Sequence, residues 1–131
     1  MKYMLETKCG DAVMASIIEL IDLKNTVELR YEQGDILLSA EDSYPFFALT
    51  KIRAELEKMN CLLICNGSRL DVYPSGMSSV GLLAYELVVG QQATKTVNIF
   101  DGCENISLIS TVNQQKAYFD EWVRFFRKIK K

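Results

Sequence analysis

The sequence predicts an α+β domain, a mainly antiparallel sheet built on a central meander with about three helices packed on it. Three observations carry this. Residues 61–90 alternate in short runs punctuated by Asn66-Gly67 and Pro74-Ser75-Gly76. Phe46, Leu49, Ile52, Leu56 and Met59 make an apolar stripe at spacings of three and four. Thr111-Val-Asn-Gln114 is a capping box set ahead of a second, aromatic stripe. At 131 residues the chain fits one domain, residues 1–131. A domain of that size buries roughly two-thirds of its unfolded surface and needs neither metal nor disulfide to fold.

Met1 to Lys8 reads as a strand or a frayed start. Asp11 can cap a helix over 11–23, where Val13, Ile17 and Ile21 recur at i, i+4 and i+8; a strand over Ala12 to Ile18 is the alternative. Thr26 to Tyr31 alternates, with Val27, Leu29 and Tyr31 on one face and Glu28 and Arg30 on the other. Gly34-Asp35 turns the chain, and Ile36 to Ser39 returns as the second arm of a hairpin. Pro45 opens the next helix, about Pro45 to Asn60, because its missing N–H would be unpaired there anyway. Arg53 and Glu57 are spaced as an i,i+4 surface pair.

Cys61 to Cys65, Arg69 to Tyr73 and Ala84 to Val89 supply the central meander. Asn66-Gly67 is read as its tight hairpin turn and Pro74 as a strand stop. Thr94 to Phe100 is a further strand. The closing helix is expected from Val112 to about Lys128, with Tyr118, Trp122, Phe125 and Ile129 at helical spacing and basic residues opposite.

Charge is unevenly spread. Residues 1–45 carry nine acids and four bases, residues 46–131 eight acids and eleven bases, so the halves differ in sign. No run approaches the ~20 apolar residues of a transmembrane helix, so no membrane contact is expected. The start, MKYMLETKCGD, breaks into charge before a signal-peptide core forms, which points to the cytoplasm. There Cys9, Cys61, Cys65 and Cys103 would be free thiols. Their even number permits disulfides, and the lack of an export signal argues against them.

The chemistry of catalysis is thinly represented. The chain has no histidine, which removes the commonest general base and metal ligand and every Ser-His or Cys-His nucleophile. Cys61 and Cys65 would share a strand face, but zinc would want a second close pair. Buried thiols are the better reading, and no metal or other cofactor is expected. Gly76 to Gly81 has P-loop glycine spacing with Leu82-Leu83 where Lys-Ser/Thr is required. It is a connecting loop, and with Tyr73, Ser75, Ser78 and Ser79 the segment Tyr73–Gly81 is the candidate for a small polar ligand. Asp101 and Glu104 flank a turn as solvated acids. The last helix could stack bases on its aromatic face, but a pI of about 5.2 disfavours nucleic acid.

Glu28, Glu32, Asp35, Glu41 and Asp42 form an acidic cluster opposed only by Arg30 and bordered by Tyr31 and Tyr44. Such a cluster is usually a solvated face; it is also what a basic protein partner would meet, with the two tyrosines as anchors.

A set of local motifs bears on this choice: Phe46-Phe47-Ala48-Leu49, Ile52-Arg53, Leu56-Glu57, Cys65-Asn66-Gly67-Ser68-Arg69, Asp71 to Met77, Ala84-Tyr85, Gly90-Gln91, Ile99-Phe100-Asp101, Gln114-Gln115 and Trp122. Across residues 46–122 the chain resembles a group of small bacterial proteins associated with immunity to contact-dependent growth inhibition toxins. The resemblance implies a cytoplasmic bacterial protein that binds and blocks a toxin domain, and it supplies no catalytic residues. The acidic cluster lies outside the matching segment. The expectation is therefore a non-enzymatic immunity protein with a basic toxin domain as partner. The alternative is a small enzyme or ligand-binding domain using the Tyr73–Gly81 loop.

Overall fold

A computed structural model describes residues 1–74 and 81–129 of the chain, with side chains through Phe125. The fold is α+β and mostly antiparallel. Its main sheet is a meander of β1 (Lys2–Cys9), β2 (Ala12–Asp22), β3 (Val27–Gln33) and β4 (Ile36–Asp42). A fifth strand, β5 (Cys61–Ile64), adds antiparallel to β1, giving the order β4-β3-β2-β1-β5. The hairpin predicted around Gly34-Asp35 forms, with Gly34 at φ +58° where a glycine costs nothing.

Residues 11–23 are not a helix but β2, the strand alternative. Gly10-Asp11 is a turn, with Cys9 opposite Ala12, rather than a helix cap. Val13, Ile17 and Ile21 satisfy both periods, since a spacing of four is also even. Ladders on both sides of β2 decide the matter. Its inward residues Ser16 and Ile18 are buried, and its outward residue Val13 is exposed.

The meander expected over 61–90 is also displaced. Asn66 to Ser68 form a 3₁₀ turn, so β5 does not fold back on the following run. A Cβ on Gly67 would meet Leu49 Cδ2 at 2.5 Å, so glycine is needed there for close approach, not for a hairpin φ. The later runs make a second, three-stranded sheet of β6 (Val72–Tyr73), β7 (Leu83–Glu86) and β8 (Thr96–Asn98), in the order β6-β7-β8. β6 and β8 lie within the expected runs Arg69 to Tyr73 and Thr94 to Phe100, and β7 overlaps the run Ala84 to Val89 but starts one residue earlier; all three are shorter than expected.

Two α-helices, not about three, are found among the described residues: α1 (Pro45–Lys58) and α2 (Val112–Ile129). In α1, Phe46, Leu49, Ile52 and Leu56 are buried against Ile18, Leu29, Tyr31 and Leu63 of the sheet. Each such side chain contributes about 1.5–3 kcal/mol by leaving water. The capping box of α2 forms, with Gln114 N donating to Thr111 Oγ1 at 3.1 Å and Thr111 N to Gln114 Oε1 at 2.9 Å.

Arg53 is not half of a surface ion pair. It is 2% exposed and donates to Gln115 Oε1 at 2.6 Å, to Ser110 O at 2.9 Å and to Gly67 O at 3.2 Å. Gln115 Nε2 lies at 2.8–2.9 Å from the carbonyls of Gly67, Arg69 and Val72. Glu57 instead accepts from Val112 N at 2.8 Å, at the start of α2. Burial lowers the Arg53 pKa from its ordinary value, while Cys65 and Glu57 pull it back. This clamp ties α1 and α2 to the irregular segment between β5 and β6.

The cysteines are not all free. Cys9 and Cys61 stand directly opposite across β1 and β5 and form a disulfide. Their distance in sequence hid a contact that only the strand order creates. Cys65 is a buried thiol, as expected of a small hydrophobe, and burial pushes its pKa up.

Candidate protein interface

Alternation along the five-stranded sheet separates an inner face under α1 from an open outer face. On β3 the outward residues are Glu28, Arg30 and Glu32, and on β4 they are Leu37, Ser39 and Glu41. The ladder pairs Glu28 with Glu41, Arg30 with Ser39, and Glu32 with Leu37. The same register carries on through Ile17 of β2 to Met4 of β1, so Met4, Ile17, Glu32 and Leu37 form one row across the sheet. Met4 and Leu37 are 74% and 72% exposed. Beside this row is a shallow hollow of about 380 Å³, lined by Lys2, Ile17, Glu19, Arg30, Glu32 and Leu37.

Electrostatically the face is unbalanced toward β4. Like charges placed directly opposite on neighbouring strands destabilise a sheet, and Glu28 and Glu41 are so placed. Arg30 relieves Glu28 through a 3.1 Å ion pair. Lys51 takes Asp42 at 3.2 Å. Among the described residues no ion pair engages Glu32, Asp35 or Glu41.

The residues singled out from the sequence therefore divide. Glu28 and Glu41 lie together at one end of the β3–β4 hairpin, and Glu32 and Asp35 lie at the other. Asp42 is engaged locally by Lys51 and by Tyr44 N at 3.2 Å. Tyr44 is 37% exposed at the start of α1, with its ring edge-on to Phe47, and remains available as an anchor. Tyr31 does not. It is 1% exposed, points into the core and shares a 2.6 Å hydrogen bond with Thr7 Oγ1. Burial raises its pKa, with the Thr7 and Ser16 hydroxyls pulling it partly back. The apolar members Met4, Ile17 and Leu37 were missed. The start of the chain reads equally as strand or frayed end and residues 11–23 satisfy a helical period, so no local pattern encodes the row they share.

Of the candidate ligand loop, Ser75, Ser78 and Ser79 lie outside the described residues. Tyr73 is stacked on Phe119 with ring centroids 4.1 Å apart, and the Lys116 ammonium lies 6.0 Å from its ring. Burial raises the Tyr73 pKa, and Lys116 lowers it in part. The neighbouring groove of about 260 Å³ is lined by Tyr73, Pro74, Tyr85, Leu87, Phe119 and Trp122 among others, and no carboxylate is among the described residues that line it. Among the described residues no group of His, Cys, Asp and Glu is arranged to hold a metal ion, and no helix is long and apolar enough to cross a membrane. No protein-family model matches the chain, and no curated protein matches its sequence.

Proposed function

We propose that this chain is a non-enzymatic binding protein, an immunity protein that neutralises a cognate bacterial toxin domain by direct contact through the outer face of β2, β3 and β4. The observation that carries the reading is the open face itself: exposed Met4 and Leu37 share one row with Ile17 and Glu32, and Glu28 and Glu41 lie on the same face beyond the Arg30–Ser39 row. Exposed apolar side chains interspersed with carboxylates on one open sheet face are what a partner of opposite charge would cover. A toxin that attacks nucleic acid would be basic because it must approach phosphates, and the carboxylates would compete for that surface. The cytoplasmic placement rests on the sequence resemblance, since the Cys9–Cys61 bridge favours an oxidising compartment.

The test is capture by the tagged full chain, at moderate salt, of a stoichiometric basic partner that is harmful when expressed alone and harmless when co-expressed. Replacing Glu28, Glu32 and Asp35 together by Lys should weaken binding and flatten its salt dependence, because attractive pairs are what salt screens. Unchanged affinity and salt slope would remove these carboxylates from the interface. The ligand-binding alternative has one observation in its favour, the aromatic groove beside Tyr73. It would be supported by a small molecule whose binding is abolished by Phe119→Ala.

A further inference from the structure

We infer that the free edge of β4 is a strand-addition site, and that its occupant is an extended cationic segment of the partner. The inference rests on the binding reading above and specifies how contact is made. It starts from the phase of the ladders. Leu23 N donates to Thr26 O at 2.9 Å, closing the β2–β3 hairpin. In an antiparallel pair, bonded and non-bonded positions alternate. Counting from that closure, Glu28, Arg30 and Glu32 turn their backbone groups toward β2, and Leu29 and Tyr31 turn theirs toward Ala40 and Leu38 of β4. The backbone groups of Leu37, Ser39 and Glu41 then point away from β3, to the side where no described strand pairs.

One contact of the chain supports this phase. The Glu41 carbonyl accepts a 2.7 Å hydrogen bond from the Lys51 ammonium, which could not form were that carbonyl directed at β3. The last carbonyl of the edge has thus already recruited a cation. Leu37 and Ser39, with the Glu41 N–H, carry the remaining outward donors and acceptors. Natural sheets guard such edges with Pro, Lys, bulges or a covering element. Over Ile36–Ser39 the sequence has neither Pro nor Lys, and Leu37 is among the most exposed apolar side chains described.

Charge selects the occupant. The β3–β4 hairpin carries Glu28, Glu32, Asp35, Glu41 and Asp42 against Arg30. A second copy pairing through β4 would bring two such hairpins side by side, and like charge opposes it. A strand with Lys or Arg on its outer face would place cations beside Glu41 and lie near Glu32, while its own backbone satisfies Leu37 and Ser39. This is strand addition, in which main-chain bonds give affinity and alternate side chains give specificity.

The probe is a capped peptide of alternating Lys and Val, about seven residues long to match β4. Its control has the same sequence with every second amide N-methylated, which keeps the charge and removes the edge donors. Titration into the full chain, followed by NMR, should slow amide exchange at Leu37 and Ser39. Ser39→Pro should weaken binding roughly tenfold, because proline is tolerated on an edge when its N–H faces outward but cannot donate to an added strand. Should Ser39→Pro fail to fold, the N-methylated peptide makes the same comparison on the unaltered chain. Equal binding of both peptides, or binding without protection of Leu37 and Ser39, would overturn strand addition and leave only attraction to the carboxylates. Absence of binding by the unmethylated peptide would overturn it as well. None of these outcomes requires the toxin, so the edge can fail while capture of a basic partner succeeds, and the reverse.

Discussion

The clamp around Arg53 and the outer face of β3–β4 both hold charge where charge is costly. At the clamp a guanidinium is taken out of water, and the cost is met inside the molecule by Gln115 Oε1 and two backbone carbonyls. On the sheet, Glu28 and Glu41 face each other across a ladder, and of the two carboxylates only that of Glu28 is in an ion pair. One arrangement is complete within the chain; the other leaves the Glu32, Asp35 and Glu41 carboxylates without an ion pair among the described residues. On the proposed reading, this difference separates a charge kept for the fold from charges kept for a partner. It also orders the tests, since breaking the first should damage stability and breaking the second should not.

The largest effect is expected at the clamp. Arg53→Ala leaves Gln115 Oε1 and Ser110 O without their shared donor, while Gly67 O keeps Gln115 Nε2, and opens a cavity between the helices. A loss of about 4 kcal/mol in urea unfolding is expected from buried unpaired groups together with the cavity. A loss below about 1 kcal/mol would mean that water replaces the guanidinium, and the clamp would not be structural. Partner capture by whatever fraction remains folded should be unaltered.

Tyr31 tests the boundary between the two regions, since it belongs to the same hairpin as the carboxylates but faces inward. Tyr31→Phe removes one buried hydrogen bond and leaves Thr7 with Ser16 as its remaining hydroxyl partner, so about 1 kcal/mol should be lost. There is a pH signature. The folded-state pKa of Tyr31 is raised by burial, so the folded chain resists losing that proton while the unfolded chain releases it near the usual value of about 10. The stability this gives is present below the unfolded pKa and is lost as pH rises through the folded one. Tyr31→Phe should therefore make alkaline unfolding less steep above pH ~10, and an unchanged slope would assign the alkaline loss to other groups.

What could be read from the sequence was what short-range chemistry determines. Pro45, the stripe from Phe46 to Leu56, the box Thr111–Gln114 and the hairpin at Gly34-Asp35 all have their partners within a few residues. What could not be read has partners far along the chain. Cys9 meets Cys61, Asn66 and Gly67 bond to Asp101 and Ile99, and Arg53 meets Gln115. The acids of the site were legible because alternation places Glu28 and Glu32 on one side of a strand. The same alternation set Tyr31 with Leu29 on the other side, so the signal that excludes it as a surface anchor was already present. Met4 and Leu37 required the register of four strands, which no local pattern encodes.

The smallest expected effect is also the most discriminating. Glu41→Gln removes the like charge opposite Glu28 while keeping the side chain's size, and its backbone carbonyl can still accept from Lys51. If the acid is held there for a partner, its removal relieves repulsion, and stability should rise by a few tenths of a kcal/mol, the scale of a cross-strand charge pair. Binding of a basic partner should weaken at the same time and its salt dependence should flatten. A gain in stability coupled to a loss of binding would mark a residue whose cost to the fold is offset only in the complex. A loss of stability with binding intact would instead place Glu41 with Arg53, as charge the fold itself requires.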